Sequence, residues 1–570
     1  MCALLYIHMQ VLRLRVSIVL CCLHATTRFP FASLKPVNDA CVNTAYTRVC
    51  GFTGQLHFPS PPPTICRLFL SFPKATRPVI LSIHPPRCPY SHSFPPSYIY
   101  AAMRFITLPQ ALGVLTLLAP CLIPSTSAIE LDPTQPDQVR AAAKDVAQVL
   151  MSMYANPQTG AILSGIPGLL TYPPYYWWEA GAMFGQLIDY WYYTGDSQWN
   201  DMVRAGIVHQ IGEDRNFMPA NQSKDEGNDD QLFWAFTVMS AAEYNFPSPP
   251  DNVPGWLALA QSIFNQLNTR WDMKTCGGGT RWQIYQWLPG YDYKNLASNG
   301  GFFQLSARLA LYTGNDTYAQ KANEIYDWLA NVSPLIEDDY KINDGSDVKK
   351  NCTEADHSQW TYNYGIMIGG AAYMYNYTKG DPIWKERLQG FLNQSEYFFP
   401  QTYNNIMVEP CELTQQCNID QVSFKAYLSR WMAVAVQLAP FTASQIIPHL
   451  QRSGKAAAQT CVASDGVPAP YTCGNRWYWN GSDENTGVGQ QLAALSIISS
   501  NLVTIAEPPK NVATGGDSKG DPGLGTAGSD AYPALEFSEI TTGDQVGASI
   551  ITALAITFMI SGGYWMTHGD

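Results

Sequence analysis

Charge is scarce in this sequence, and positive charge scarcer still. Only 14% of the residues are Asp, Glu, Lys or Arg, with 34 basic against 46 acidic side chains. Much of the base sits at one end. Residues 1–102 carry nine Lys/Arg and a single acid, Asp39, leaving 25 basic and 45 acidic residues to the rest. So acidic a surface repels nucleic acid. Strand-like alternation is rare, which argues against sheet architectures. No cysteine stands at metal-ligand spacing, and lone histidines such as His209 and His357 have no ligand partner near them in sequence. No metal or cofactor is expected.

What the sequence does have is aromatic side chains, 16 Trp and 32 Tyr among 570 residues. That composition suits a large core with an aromatic-lined cleft, the surface on which sugar rings stack. The length fits one large helical toroid or barrel plus extensions.

The two ends read as targeting segments. Residues 1–102 follow neither helical nor strand period and hold seven of the 14 Cys and 13 Pro, in runs such as PSPPP and FPPSY. They read as an extended, disordered extension of the gene model. Met103-Arg104-Phe105, an apolar run at 106–123 and the small residues Ser125-Thr126-Ser127-Ala128 form a secretory signal peptide at 103–128. Residues 11–23 are an alternative signal. At the far end, 508–544 is a Gly/Ser-rich linker that includes Gly528, Ser529 and Gly543, and 545–570 contains an uncharged run at 546–565. The pattern reads as a GPI-attachment signal, with a single membrane span as the alternative. Both place the protein in the secretory pathway, on the outer face of the plasma membrane or in a cell wall.

Between the signals, at 129–507, six cysteines remain. Cys411 with Cys417 and Cys461 with Cys473 are the local disulfide pairs, which leaves Cys276 with Cys352. Seven sequons, at Asn221, Asn315, Asn331, Asn351, Asn376, Asn393 and Asn480, are glycosylation candidates in that context.

Three segments repeat one another: DYWYYTGDS at 189–197, LALYTGNDT at 309–317 and MYNYTKGDP at 374–382. Each joins an apolar, glycine- and aromatic-rich helix to an amphipathic one, with Gly ending the first and Asp capping the second. Extended outward, this predicts apolar helices at about 178–193, 230–244, 300–312, 361–376, 422–438 and 486–502. Amphipathic partners precede them at about 137–153, 197–211, 255–269, 317–330, 382–396 and 442–453. Six such hairpins make an all-α (α/α)6 toroid, with an open superhelical stack as the alternative. In a toroid the loops entering the inner helices converge on one cleft.

At one such entrance Asn228, read as an N-cap, precedes the adjacent acids Asp229 and Asp230 and an apolar run. Neighbouring carboxyl groups resist double ionisation, so one is held protonated while the other is charged. That is the requirement of glycoside hydrolysis. Acids at a helix start also suit the macrodipole without any function. Asp225, Glu226, Asn228, Asp229 and Asp230 together would equally offer oxygen ligands to calcium.

The surrounding sequence decides among these. TYPPYYWWEAGAMFGQLIDYWYYTGD at 171–196, GNDDQLFWAFTVMSAAE at 227–243 and CGGGTRWQI at 276–284 resemble glycoside hydrolase family 76. So do KNLASNGGFFQLSARLALYTG at 294–314, QWTYNYGIMIGGAAYMYNYT at 359–378 and NRWYWNG at 475–481. The resemblance is to the fungal GPI-anchored members with mannan endo-1,6-α-mannosidase activity. It implies an (α/α)6 barrel and a retaining mechanism, with Asp229 as nucleophile and Asp230 as general acid/base. For the fungal type it also implies transfer of GPI-anchored glycoproteins to cell-wall β-glucan. The partners expected are therefore α-mannan or a GPI glycan, a glucan acceptor and a membrane through the anchor. A non-catalytic, mannan-binding wall protein is the alternative. Trp178, Asn228, Trp282, Asn299, Trp360 and Tyr362 stand at cleft entrances and are the substrate-binding candidates.

Overall fold

The computed structural model describes residues 128–222, 226–463, 471–479, 481–526 and 541–568. The expectations for 1–102, for the signal at 103–127, for Asp225, for the Asn480 sequon and for Gly528 and Ser529 concern residues outside that set.

Twelve helices, numbered in chain order, build the main body of the described residues. They are α1 (Pro136–Ser152), α2 (Trp177–Thr194), α3 (Asn200–His209), α4 (Asn228–Glu243), α5 (Trp256–Thr269) and α6 (Leu296–Thr313). Then come α7 (Asp316–Asn331), α8 (Thr361–Tyr377), α9 (Pro382–Ser395), α10 (Phe424–Leu438), α11 (Ala443–Thr460) and α12 (Val488–Ser499). Each even-numbered helix packs on the next even one, and α12 returns to α2. The ring is closed, an (α/α)6 barrel rather than an open stack. The odd-numbered helices form the outer layer. Most of them expose one face, α5 being covered on its outer side by residues 518–525, whereas the inner helices are buried almost all round.

The inner helices pack closely because they are rich in glycine. A Cβ at Gly365 of α8 would stand 2.6 Å from the Tyr427 carbonyl of α10, and one at Gly181 of α2 would stand 2.8 Å from the Trp234 ring of α4. Two of the repeated turns close as expected. Gly195 (φ 78°) and Gly314 (φ 69°) take the left-handed conformation after α2 and α6 and donate back to Trp191 and Ala310 carbonyls. In the third turn the extra Lys379 delays the glycine, and both Lys379 and Gly380 have positive φ.

Two boundaries differ from the sequence reading. Helix α6 begins at Leu296, not at 300, because Asn295 caps it by accepting from Ser298 N–H. Helix α11 continues to Thr460, through Pro448. The few strands are short. Tyr293–Asn295 (β1), Gly345–Asp347 (β2) and Ala355–Asp356 (β3) form an antiparallel sheet, and Cys461–Ala463 (β4) pairs with Tyr471–Cys473 (β5). All three expected disulfides are present, Cys276–Cys352, Cys411–Cys417 and Cys461–Cys473.

The C-terminal segment divides in two. Residues 508–526, a spacer by composition, are docked on the barrel through backbone hydrogen bonds at Lys510 and Val512. Further on, α13 (Thr542–His568) carries the exposed apolar stretch Thr542–Gly562, long and apolar enough to cross a membrane.

Deep on the barrel axis lies a fully buried charge network. Arg308 of α6 pairs with Glu243 of α4 at 2.6 Å, and Arg430 of α10 pairs with Asp189 of α2 at 2.6 Å. Both guanidinium groups donate to Ser240 Oγ, and the Tyr373 hydroxyl of α8 donates to Glu243. Five inner helices therefore meet at one cluster. Removing one partner strands a charge away from water, at a cost of about 3–5 kcal/mol. Arg308→Met is expected to lower unfolding free energy by about that amount in urea titrations; a loss under ~1 kcal/mol would show that the pair does not hold the ring.

Candidate active site

Helix α4 is buried at every position except two, and those two are Asp229 and Asp230. Its N-cap is Gly227, in extended backbone, and Asn228 is already the first helical residue. This corrects the reading of Asn228 as the cap. Gly227 N–H donates to Asp230 Oδ2 at 2.7 Å, and Asp230 N–H donates to Asp229 Oδ1 at 3.1 Å. Asn295, the cap of α6, donates from Nδ2 to Asp229 Oδ2 at 2.8 Å.

Gly227 also measures how close the two acids are. A Cβ built on it would stand 2.5 Å from Asp229 Oδ1 and 3.3 Å from Asp230 Oδ2. Those oxygens are thus no farther apart than about 6 Å, short of the roughly 6.5–9.5 Å between carboxyl groups that inverting glycosidases leave for water.

Burial raises both acids, and the remaining influences separate them. Asp229 is pushed up to about 7, held back by the hydrogen bond from Asn295 and by backbone N–H groups. Asp230 is raised well above the usual range by burial and then by the charge of Asp229. Burial and mutual repulsion therefore oppose ionisation of both acids at once, and the hydrogen bond from Asn295 favours charge on Asp229.

Two further carboxyl groups flank the pair. Asp344, just before β2, accepts from the Tyr293 hydroxyl at 2.9 Å and is pushed up to about 6, chiefly by burial. Its charge bears on Asp229. Asp420 accepts from Trp178 Nε1 at 3.2 Å, is raised by burial, and bears on Asp230. Asn295, Asp344 and Asp420 were missed in the sequence reading. Asn295 was within reach as an Asn three residues before a Ser at a helix start, whereas nothing local marks the two aspartates.

The six residues expected to bind substrate divide into two sets. Asn228 donates to the Arg281 carbonyl (2.9 Å), accepts from Arg270 (2.6 Å) and sends its N–H to the Trp282 carbonyl (2.8 Å). Asn299 is wholly buried, accepting from Thr280 N–H and donating to the Thr280 and Asn295 carbonyls. Buried amides must satisfy their donors and acceptors, and these two do so by clamping the glycine-rich loop at 276–283. Both are buried and spend their side-chain bonds within the protein. Lys294 holds the same loop from beneath, donating to the Thr275 and Gly278 carbonyls, and the Cys276–Cys352 disulfide ties it to the β2–β3 hairpin.

Of the aromatic candidates, Trp178 and Tyr362 are buried within the hydrophobic core, whereas Trp282 and Trp360 keep exposed surface. Trp282 is 37% exposed beside α4. Trp178 packs on Phe233, ring centroids 4.5 Å apart, with its indole on Asp420. Trp360 is half-buried against Phe424. Tyr362 stacks on Phe424 at 4.1 Å, within the field of Asp344 and Asp229. Exposed aromatics the sequence reading did not single out join them on loops entering inner helices, namely Tyr172, Tyr176, Trp287 and Trp479. Of the described sequons, Asn221, Asn315, Asn331, Asn351 and Asn393 are exposed, whereas Asn376 is half-buried and donates to the Leu438 carbonyl.

A closed helical barrel with two carboxyl groups side by side at the start of an inner helix holds the groups that glycoside hydrolysis uses, and the family it matches is one of glycoside hydrolases. The sequence profile of Glycosyl hydrolase family 76 matches residues 138–513, and the chain belongs to that family. Among its relatives is the mannan endo-1,6-alpha-mannosidase DCW1 of Saccharomyces cerevisiae, 42% identical over 77% of this chain and 96% of that protein. A putative mannan endo-1,6-alpha-mannosidase of Schizosaccharomyces pombe is 44% identical over 73% of this chain and 92% of its own. Of solved structures, Dfg5 from Chaetomium thermophilum in complex with glucosamine is 40% identical. It superposes with a TM-score of 0.64, over 69% of this chain and 97% of that one. A Salegentibacter alpha-1,6-mannanase, 15% identical with a TM-score of 0.51 over 64% of this chain and 98% of its own, shares the fold.

Two substitutions test the geometry. Gly227 has ordinary φ and ψ, so Gly227→Ala meets no backbone strain, and its methyl displaces the Asp229 carboxyl while touching the Trp282 carbonyl at 3.2 Å. Turnover should fall about 100-fold with an unchanged melting temperature; wild-type turnover would refute the packing. Asn295→Ala removes a donor that favours ionised Asp229. Its pKa should rise, moving the acidic limb of the kcat/KM profile up by about one pH unit and leaving the basic limb in place.

Proposed function

We propose that this chain is an endo-acting α-1,6-mannosidase that cleaves with retention of configuration. The observation that carries the reading is the Asp229–Asp230 pair, the two half-exposed residues of an otherwise buried helix. Asp229 is the better anion, fixed by Asn295, and attacks the anomeric carbon. Asp230 carries the proton and gives it to the leaving oxygen, then takes one from the incoming acceptor. The covalent mannosyl-enzyme is released by water or by a sugar hydroxyl. Relatives named mannan endo-1,6-alpha-mannosidases at about 40% identity support the linkage.

The cleft also suggests what lies next to the mannose. The charges bearing most on Asp229 and Asp230 are those of other carboxyl groups, Asp344 and Asp420 among them. Such a site favours a cationic sugar, and the Dfg5 structure holds glucosamine. We infer a substrate in which mannose adjoins an unacetylated hexosamine, as in a GPI glycan, and transfer of the mannosyl portion to a cell-wall glucan. The C-terminal apolar helix suits a protein held at a membrane by a GPI anchor.

The test is Asp229→Asn and Asp230→Asn assayed on α-1,6-mannotetraose and on a mannosyl-glucosamine conjugate, with products read by mass spectrometry. Both variants should lose at least about 1,000-fold in turnover. The wild type should give α-configured products, and transfer products when β-glucan oligosaccharides are present. Near-wild-type turnover in either variant would overturn the catalytic assignment, and free reducing ends alone would overturn transfer.

A further inference from the structure

Residues 507–526 take an unexpected route. They leave the barrel at its closed end, where the inner helices finish. The Glu507 carbonyl accepts from the Tyr192 hydroxyl of α2 and from Gln437 of α10. Lys510 N–H donates to the Glu243 carbonyl at the end of α4, and Val512 N–H donates to the Leu311 carbonyl near the end of α6. The chain thus crosses beneath four inner helices. It then turns up the outside of α5.

That ascent is fixed step by step. The cap of α5, Gly255, has no side chain to offer its first N–H groups. Ser518 Oγ accepts from Leu257 N–H at 2.9 Å, and the Lys519 carbonyl accepts from Ala258 N–H at 3.3 Å. The strap therefore supplies the missing cap, from 261 residues away. Higher up, Asp521 N–H donates to Gln261 Oε1 at 2.7 Å. Asn265 Nδ2 donates to the Pro522 and Leu524 carbonyls at 2.9 and 2.8 Å. Gln266 Nε2 donates to the Gly525 carbonyl at 2.6 Å. From Leu257 to Gln266 the strap climbs about 14 Å.

The top of that climb is the mouth. Gln266 also accepts from Arg270, and Arg270 donates to Asn228, the residue before Asp229. Gly525 is thus three side chains from the aspartate pair. The family match ends at residue 513, before the ascent begins.

We propose that 507–526 is a strap that reverses the exit of the chain, so that the tail leaves at the catalytic end and the cleft faces the lipid bilayer that holds the C-terminus. The proposal rests on the reading that the C-terminal segment leads to a membrane, through a lipid anchor or through α13 itself. The strap leaves 15 residues, 527–541, between barrel and α13 in place of the 34 from 508 that an undocked tail would have. At about 3.3–3.6 Å per residue the maximum reach falls from roughly 110–120 Å to roughly 50–55 Å. A substrate carried on the same bilayer then lies within reach of an endo-acting cleft.

The test uses the full chain, with α13 retained, in phosphatidylcholine vesicles containing an acceptor-labelled lipid. Donor dyes are placed singly on Met273→Cys, exposed on the loop after α5 at the mouth, or on Ser197→Cys, exposed on the turn after α2 at the closed end. Energy transfer to lipid is expected to be at least twofold greater from position 273. Releasing the strap with Ser518→Ala, Asn265→Ala and Leu524→Asp together should abolish that difference. Turnover of soluble α-1,6-mannotetraose should stay within twofold. Should the triple variant unfold, a 20-residue Gly/Ser insertion after residue 526 replaces it and is expected to shrink the difference with the strap still docked. Equal transfer from both positions in the parent chain, or a difference unaffected by release and by insertion, would overturn the proposal. A chain that fails to float with the vesicles would overturn it by refuting the membrane reading, an outcome separate from misorientation.

Discussion

Two carboxyl groups set side by side where water is scarce cannot both carry charge, and the rest of this molecule follows from keeping them there. Burial penalises each anion, and each anion penalises the other. The pair survives because its immediate surroundings treat its members differently. Asn295 reaches over from the next inner helix to support charge on Asp229. Asp420 stands on the other side and discourages it on Asp230. The two aspartates are thus distinguished by their neighbours, although they are the same amino acid one residue apart.

Such neighbours must come from different hairpins, and a closed ring brings them together. Asn295 belongs to the third hairpin, Asp344 to the loop entering the fourth inner helix and Asp420 to the loop entering the fifth, all around the second inner helix, α4. The axial charge cluster of Arg308, Arg430, Glu243, Asp189 and Ser240 joins the same helices lower down. Arg308 is on α6 with Asn295 at its start, and Glu243 is on α4 with Asp229 at its start. One helix pair thus carries a buried ion pair at its foot and the Asn295–Asp229 hydrogen bond at its head.

This division explains what was legible in the sequence. The inner helices announced themselves because an all-round buried helix must be apolar or glycine-rich along its length, and α4 and α8 are. The acids were conspicuous because they interrupt that pattern at a helix start. Asp344 and Asp420 were illegible because polar residues in loops look alike until the ring closes. Asn228 and Asn299 lie in the first turns of their helices, but sequence position does not reveal that such an amide spends its bonds on a neighbouring loop. The strap was hidden for a different reason. Glycine and serine read as a spacer, yet they also let a backbone lie flat against a helix, and Gly520 and Gly525 stand where a Cβ would strike Leu257 and Ser262.

The Tyr175 hydroxyl accepts from Val488 N–H, so the loop that opens the first inner helix also fastens the start of the last. The ring therefore has a seam but no beginning. Cut elsewhere, for example in the turn after α7, and rejoined across that seam, the same hairpins would retain every contact between inner helices. Order along the chain is, for this barrel, a matter of synthesis and delivery, and the architecture itself is indifferent to where the polypeptide starts.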